Sequence, residues 1–213
     1  ENTWRVKNIF QYRDWPDSFF GIGNETRSSD EAEYTYLRFQ VITEVAHAVW
    51  RKLYVGLVQH AEYIDVTEVQ GGGILSGENP AFDPVPGVLG GWSSGLGLSL
   101  TWDDRDSAMY TTSGGLYRLD GLVFHRAFGS RYDFGLIRAD LRRFFVPWLD
   151  HVIGVQAELQ YAPGDVPFTM MPALGGSRNM RGIYNGRFRD KGMMTLQVAY
   201  RFPLFWRFKW TFF

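Results

Sequence analysis

Apolar residues recur at every second position along most of the chain, the pattern of a strand with one apolar face rather than the 3.6-residue repeat of a helix. In Val152–Tyr161, Ile153, Val155, Ala157, Leu159 and Tyr161 alternate with Val152, Gly154, Gln156, Glu158 and Gln160. Residues 194–202 set Leu196, Val198, Tyr200 and Phe202 against Thr195, Gln197, Ala199 and Arg201, and residues 94–103 set Leu96, Leu98, Leu100 and Trp102 against Gly95, Gly97, Ser99, Thr101 and Asp103. Arg138, Asp140 and Arg142 alternate with Ile137, Ala139 and Leu141, and Arg207 and Lys209 with Trp206, Phe208 and Trp210. Further strands are predicted over 4–13, 34–43, 51–63, 116–126 and 205–213, for nine in all, and no segment carries the apolar stripe of a core helix.

Alternation alone does not say which face points outward, because a soluble sandwich alternates as well. Length, aromatics and loops decide. Most of the segments run about 9–13 residues, close to the ~9–11 that a tilted strand needs to cross a bilayer and longer than the usual ~5–6. Trp4, Tyr12, Trp102, Tyr161 and Trp206 fall toward segment ends, where interface girdles belong. Long connections (14–33, 64–91, 162–192) alternate with short ones such as DDRDSAMYTTSGG, the habit of outer-membrane barrels, with 128–132 as a tight external hairpin. The fold expected is therefore all-β, an antiparallel transmembrane β-barrel, with residues 1–213 forming a single barrel domain.

Composition fits that reading. The 213 residues hold 24 Gly, 17 Phe, 11 Tyr and 8 Trp, suiting strands that are apolar on one face only. A net charge of −1 gives no reason to expect a nucleic-acid partner. The absence of cysteine excludes disulfides, thiol nucleophiles and Cys-rich zinc sites, and no apolar run approaches the ~18 residues of a membrane helix.

The densest segment is the loop PALGGSRNMRGIYNGRFRDKG. Gly175, Gly176, Gly182 and Gly186 permit tight turns, and Arg181 offers a planar five-donor group that could be planted on a wall carboxylate. A solvated basic surface loop is the alternative reading of the same composition. The histidines (His47, His60, His125, His151) lie in no serine-containing motif, so a rim hydrolase has little support.

GGSRNMRGIYNGRFRDK followed by VAYRFPLFWR resembles the arginine-loop region of the BamA/TamA superfamily of outer-membrane insertases and translocators, the surface-antigen type. The tip reads Met180-Arg181-Gly182-Ile183-Tyr184, with the aromatic one place later than in the tightest form of the motif. LSLTWDDRDSAMYTTSGG is similar to the family's D-x-R-D turn, with Asp103, Arg105 and Asp106 in the matching places, and a structural, salt-bridged hairpin is its expected role. The resemblance runs over residues 91–213. It implies a barrel of about sixteen strands, of which about nine are visible here. The loop would lie in the lumen as a latch, using Arg181, Gly182, Tyr184 and Met180, and clamped to a carboxylate. Asp103, Asp120, Asp140 and Glu158 are the candidates within this chain, although the family's usual partner lies on strands after the loop.

The implied function is assisting the assembly or transport of proteins at the outer membrane of a Gram-negative bacterium or a derived organelle, with no cofactor and no covalent chemistry. Implied partners are outer-membrane lipids, unfolded outer-membrane or secreted polypeptides, and accessory proteins or barrel strands beyond this chain. A passive pore or membrane anchor of the same fold is the alternative.

Overall fold

The computed structural model describes residues 3–69, 74–76, 85–205 and 208–213. Nine long strands form one antiparallel sheet: β1 (Trp4–Phe19), β2 (Ala32–Trp50), β3 (Leu53–Thr67), β4 (Gly91–Asp103), β5 (Gly114–Phe124), β6 (Phe134–Phe145), β7 (Val152–Tyr161), β10 (Gly192–Phe205) and β11 (Phe208–Phe212). Between β7 and β10, the long loop forms a two-stranded ribbon, β8 (Ala173–Leu174) with β9 (Phe188–Arg189), and one helical turn, α1 (Gly176–Asn179). Each long strand pairs with the next in sequence, β7 with β10 across the loop, and among the described residues β1 and β11 do not pair with each other.

The nine strands match the predicted segments, but several are longer. β1 runs to Phe19 and β2 begins at Ala32, so the first loop shrinks to residues 20–31 and Tyr12 lies within its strand rather than at the end. These extensions do not alternate cleanly (Asp14, Trp15, Pro16, Asp17), and cross-strand pairing, from Asp14 opposite Leu37 to Phe19 opposite Ala32, holds them extended. The predicted Trp206 and Arg207 lie outside the described residues, as do parts of the predicted 64–91 loop.

The two faces of the sheet are inverted relative to a soluble protein. Phe10, Leu57, Leu98 and Met194 are 59–73% exposed on one face, with Leu96, Leu100, Leu119, Val123, Ile137 and Leu196 beside them. On the other face, Glu44, His60, Glu62, Ser99, Thr101, Glu158 and Thr195 are buried. The sheet is rolled so that this face lines a cavity of about 420 Å³ whose wall runs from Lys7 on β1 to Glu158 on β7. Loops 20–31, 125–133 and 162–191 lie at one end of the strands together with the described residues 68–69, 74–76 and 85–90, and the short turns 51–52, 104–113 and 146–151 lie at the other. Outward aromatics mark both ends: Tyr63 beside Trp92 at the long-loop end (ring centroids 5.3 Å apart) and Trp50 beside Trp102 at the short-turn end (5.8 Å).

The interior is not polar along its whole length. Reading down β6, the inward residues are Phe134, Leu136, Arg138, Asp140 and Arg142, so the lining changes from apolar to charged. Its upper part is a packed core of Val58, Leu122, Phe124, Phe134 and Leu136 with Ala162, Val166, Met170 and Met171 from the long loop. A second cluster joins Phe19, Tyr34, Tyr36, Ile64, Ile74 and Leu75 to Phe168.

Candidate functional site: the lumen and its long loop

The lower lumen is a ladder of charges fixed by strand register. Arg118 lies opposite Asp140, Asp120 opposite Arg138, and Asp140 opposite Glu158. Arg118 Nη2 sits 2.9 Å from both Glu44 and Asp120, and Ser99 Oγ donates to Glu44 at 2.6 Å. Arg142 engages Asp140 through Nε and Nη2 (2.9 and 2.6 Å), and Gln156 donates to the same carboxylate. Higher up, Gln40 donates to Glu62, with His60 3.6 Å and Arg38 3.7 Å from that carboxylate. Buried charges of both signs in contact offset one another's desolvation.

The long loop enters this space in two arms. Its descending arm, 162–175, supplies the apolar residues that fill the upper lumen. At the turn, Gly175 has φ +123°, and a Cβ there would lie 1.9 Å from the Tyr184 carbonyl oxygen, so no other residue lets the two arms approach so closely. α1 then lies against the wall, where Gln197 on β10 donates to the Arg178 carbonyl (2.8 Å) and the Arg178 guanidinium comes within 4.0 Å of both Asp140 and Glu158.

Among the described residues, Arg181 reaches none of the four candidate carboxylates. Its Nε donates to the Ser177 carbonyl (3.2 Å), and its guanidinium lies 3.5 Å over the Phe213 ring. The reason is geometric: α1 ends at Asn179 and the extended backbone of Met180 (φ −154°, ψ 94°) breaks the helix before Arg181, so Arg181 does not share the wall-facing side of Arg178 and is exposed. Asp103 is taken by Arg105 (2.9 and 3.0 Å) with Arg5 at 3.8 Å, Asp120 by Arg118, Asp140 by Arg142, and Glu158 by Gln160. Met180 and Gly182 are exposed; Met180 closes α1 through its amide to the Gly176 carbonyl, and Gly182 takes φ +86°. Gly176 takes φ +83°.

The returning arm holds residues that sequence reasoning passed over. Arg189 is buried, and its Nη2 sits 3.1 Å from Asp17 at the end of β1. Tyr34 and Tyr184 each donate a hydroxyl hydrogen bond to the same carboxylate at 3.1 Å. Burial raises the Tyr184 hydroxyl above its ordinary pKa, so it remains a donor. Arg187 binds Thr26 through its Oγ1 and carbonyl (2.8 and 2.7 Å) and lies over the Phe20 and Phe188 rings. The long loop is thus fastened to the far side of the sheet.

At the short-turn end, Arg105 grips Asp103, while Asp106 accepts from the Thr112 amide and hydroxyl. The turn reaches across the base, where the Tyr110 ring meets Arg201 (5.3 Å) and Lys209 (4.6 Å). The histidines have structural partners: His47 packs on Trp4, His60 bonds Gln40, His125 accepts from the Ala127 amide, and His151 bonds the Tyr200 hydroxyl. No group of three or more His, Asp or Glu side chains among the described residues is arranged to hold a metal.

No protein-family profile matches the sequence, and no curated protein matches it. By structure, the chain is similar to a crystal structure of BamA from Haemophilus ducreyi lacking POTRA domains 1–3, with a TM-score of 0.66 and 14% identity over 94% of this chain. The chain spans 42% of the length of that structure. The likeness gives the fold, an antiparallel sheet of the kind found in the BamA barrel.

Proposed function

We propose that the chain is a transmembrane portion of an outer-membrane β-barrel that assists the assembly or transport of other proteins at the outer membrane of a Gram-negative bacterium. The observation that carries the membrane reading is the inverted sheet, apolar where it is exposed and charged where it is buried. Its outward band has a measurable height. Trp92 and Trp102 stand ten residues apart on β4 with Leu96, Leu98 and Leu100 between them. That is roughly 34 Å along the strand and roughly 26 Å along the axis at a tilt of about 40°, against the ~25 Å apolar band of such barrels. Lipid acyl chains are the partner this band fits.

Support for the assembly role comes from the loop and hairpin that resemble those of the insertase and translocator superfamily, together with the BamA-like fold. The packed upper lumen weighs against a passive pore. In this reading the loop tip, Met180 to Tyr184, is the working element. Arg181, stacked on Phe213 rather than on a carboxylate, remains available to a carboxylate outside the described residues. Arg181→Ala is expected to leave the barrel folded and heat-modifiable on gels but to lower the yield of assembled outer-membrane proteins in a depletion strain. Wild-type assembly in that variant would remove the latch role.

A further inference from the structure

The junction at Asp17 joins three parts of the molecule through one carboxylate: β1, which carries it; β2, through Tyr34; and the returning arm of the long loop, at Tyr184 and Arg189. Arg189 does more than pair with the wall. Its Nη1 donates to the carbonyl of Phe168 at 3.2 Å, and Phe168 is a fully buried member of the segment that fills the upper lumen. One guanidinium therefore bonds the barrel wall on one side and the filling segment on the other. Gly186 leaves room for it, since a Cβ there would lie 2.9 Å from Arg189 Nη2.

We propose that Asp17 and Arg189 form a clasp that seats residues 162–175 as a plug, so that the lumen is closed to ions and solutes while the pair is made and opens when it is broken. This rests on the barrel reading above and assigns the Asp17–Arg189 pair, 172 residues apart, the role of positioning the loop. Arg189 is only 7% exposed, so loss of the carboxylate would leave a buried cation without compensation. The cheapest relief is for the arm to swing outward, carrying Phe168 with it. Arg187, which holds Thr26 on the neighbouring loop, would guide the arm without bonding the plug.

The test uses the full-length protein, refolded, checked for folding by heat-modifiable mobility and reconstituted into planar bilayers. Wild type is expected to sit almost always closed. Asp17→Asn and Arg189→Gln should each raise the frequency of open events by about ten- to hundred-fold, the shift expected when a charge-assisted bond at a buried site is lost. The exchange of Asp17→Arg with Arg189→Asp should return conductance toward wild type. Phe168→Ala keeps the ion pair but thins the plug, and it should also open the lumen even if a clasp variant proves unable to fold. A wild-type protein that conducts continuously, or folded variants no leakier than wild type, would overturn the clasp. Failure of wild type to enter bilayers would instead overturn the barrel reading, and the clasp with it.

Discussion

Asp106 shows how much one side chain can organise. It lies in the 104–113 turn, where Thr112 supplies both its amide and its hydroxyl, and these bonds hold the carboxyl down at about 2. A carboxyl depressed in the folded state stabilises the turn above its unfolded value, 3.8 in the absence of these bonds, and that contribution is lost as pH falls through about 2. An NMR titration should find the Asp106 inflection near pH 2, moved upward by Thr112→Val, which removes the hydroxyl donor and keeps the amide; an unshifted wild-type titration would refute the assignment. The bracing of this turn was legible, because Asp103, Arg105 and Asp106 are close in sequence. The Asp17–Arg189 pair was not, since nothing in either neighbourhood announces a partner on the far side of the barrel. Arg178 and Arg181 illustrate the same limit: both are loop arginines three residues apart, and only the single turn of α1 decides which one faces Asp140 and Glu158.

At the level of elements, sequence alternation located all nine strands, and on the central ones outward and inward neighbours meet opposite environments. Leu98 and Ser99 on β4 are the sharpest case, 59% and 2% exposed on adjacent residues. Leu98→Arg places a charge midway between the two tryptophans and is expected to cost about 2–4 kcal/mol of folding stability in lipid vesicles, as charges near a bilayer midplane do. Measured by urea titration of tryptophan emission, a change within error would argue that this face does not meet lipid. Strand ends were harder to read, since pairing rather than pattern extends β1 and β2 beyond the predicted segments. The segment that fills the lumen does carry a signal in the sequence: Val166, Phe168 and Met170 are apolar at alternate positions within the 162–192 connection. Likewise Phe134 and Leu136 share the phase of Arg138, so the change from apolar to charged lining was already written in β6.

For the molecule as a whole, the height of the apolar band sets the bilayer it suits. A band of roughly 26 Å is thinner than an average hydrocarbon core of about 30 Å, so refolding should be faster and more complete in short-chain than in long-chain phosphatidylcholine vesicles. Equal yields across chain lengths would contradict a band of that height. The architecture also orders events in time. Every hairpin from β1 to β7 joins sequence neighbours, so the sheet can assemble one local step after another. The Asp17–Arg189 tie spans 172 residues, and in an open chain the entropy of closing such a loop opposes it until the intervening strands have brought its ends together. Seating of the loop therefore follows the pairing of β1 to β7, and a newly inserted copy passes through an interval in which those walls stand but its interior is unfilled.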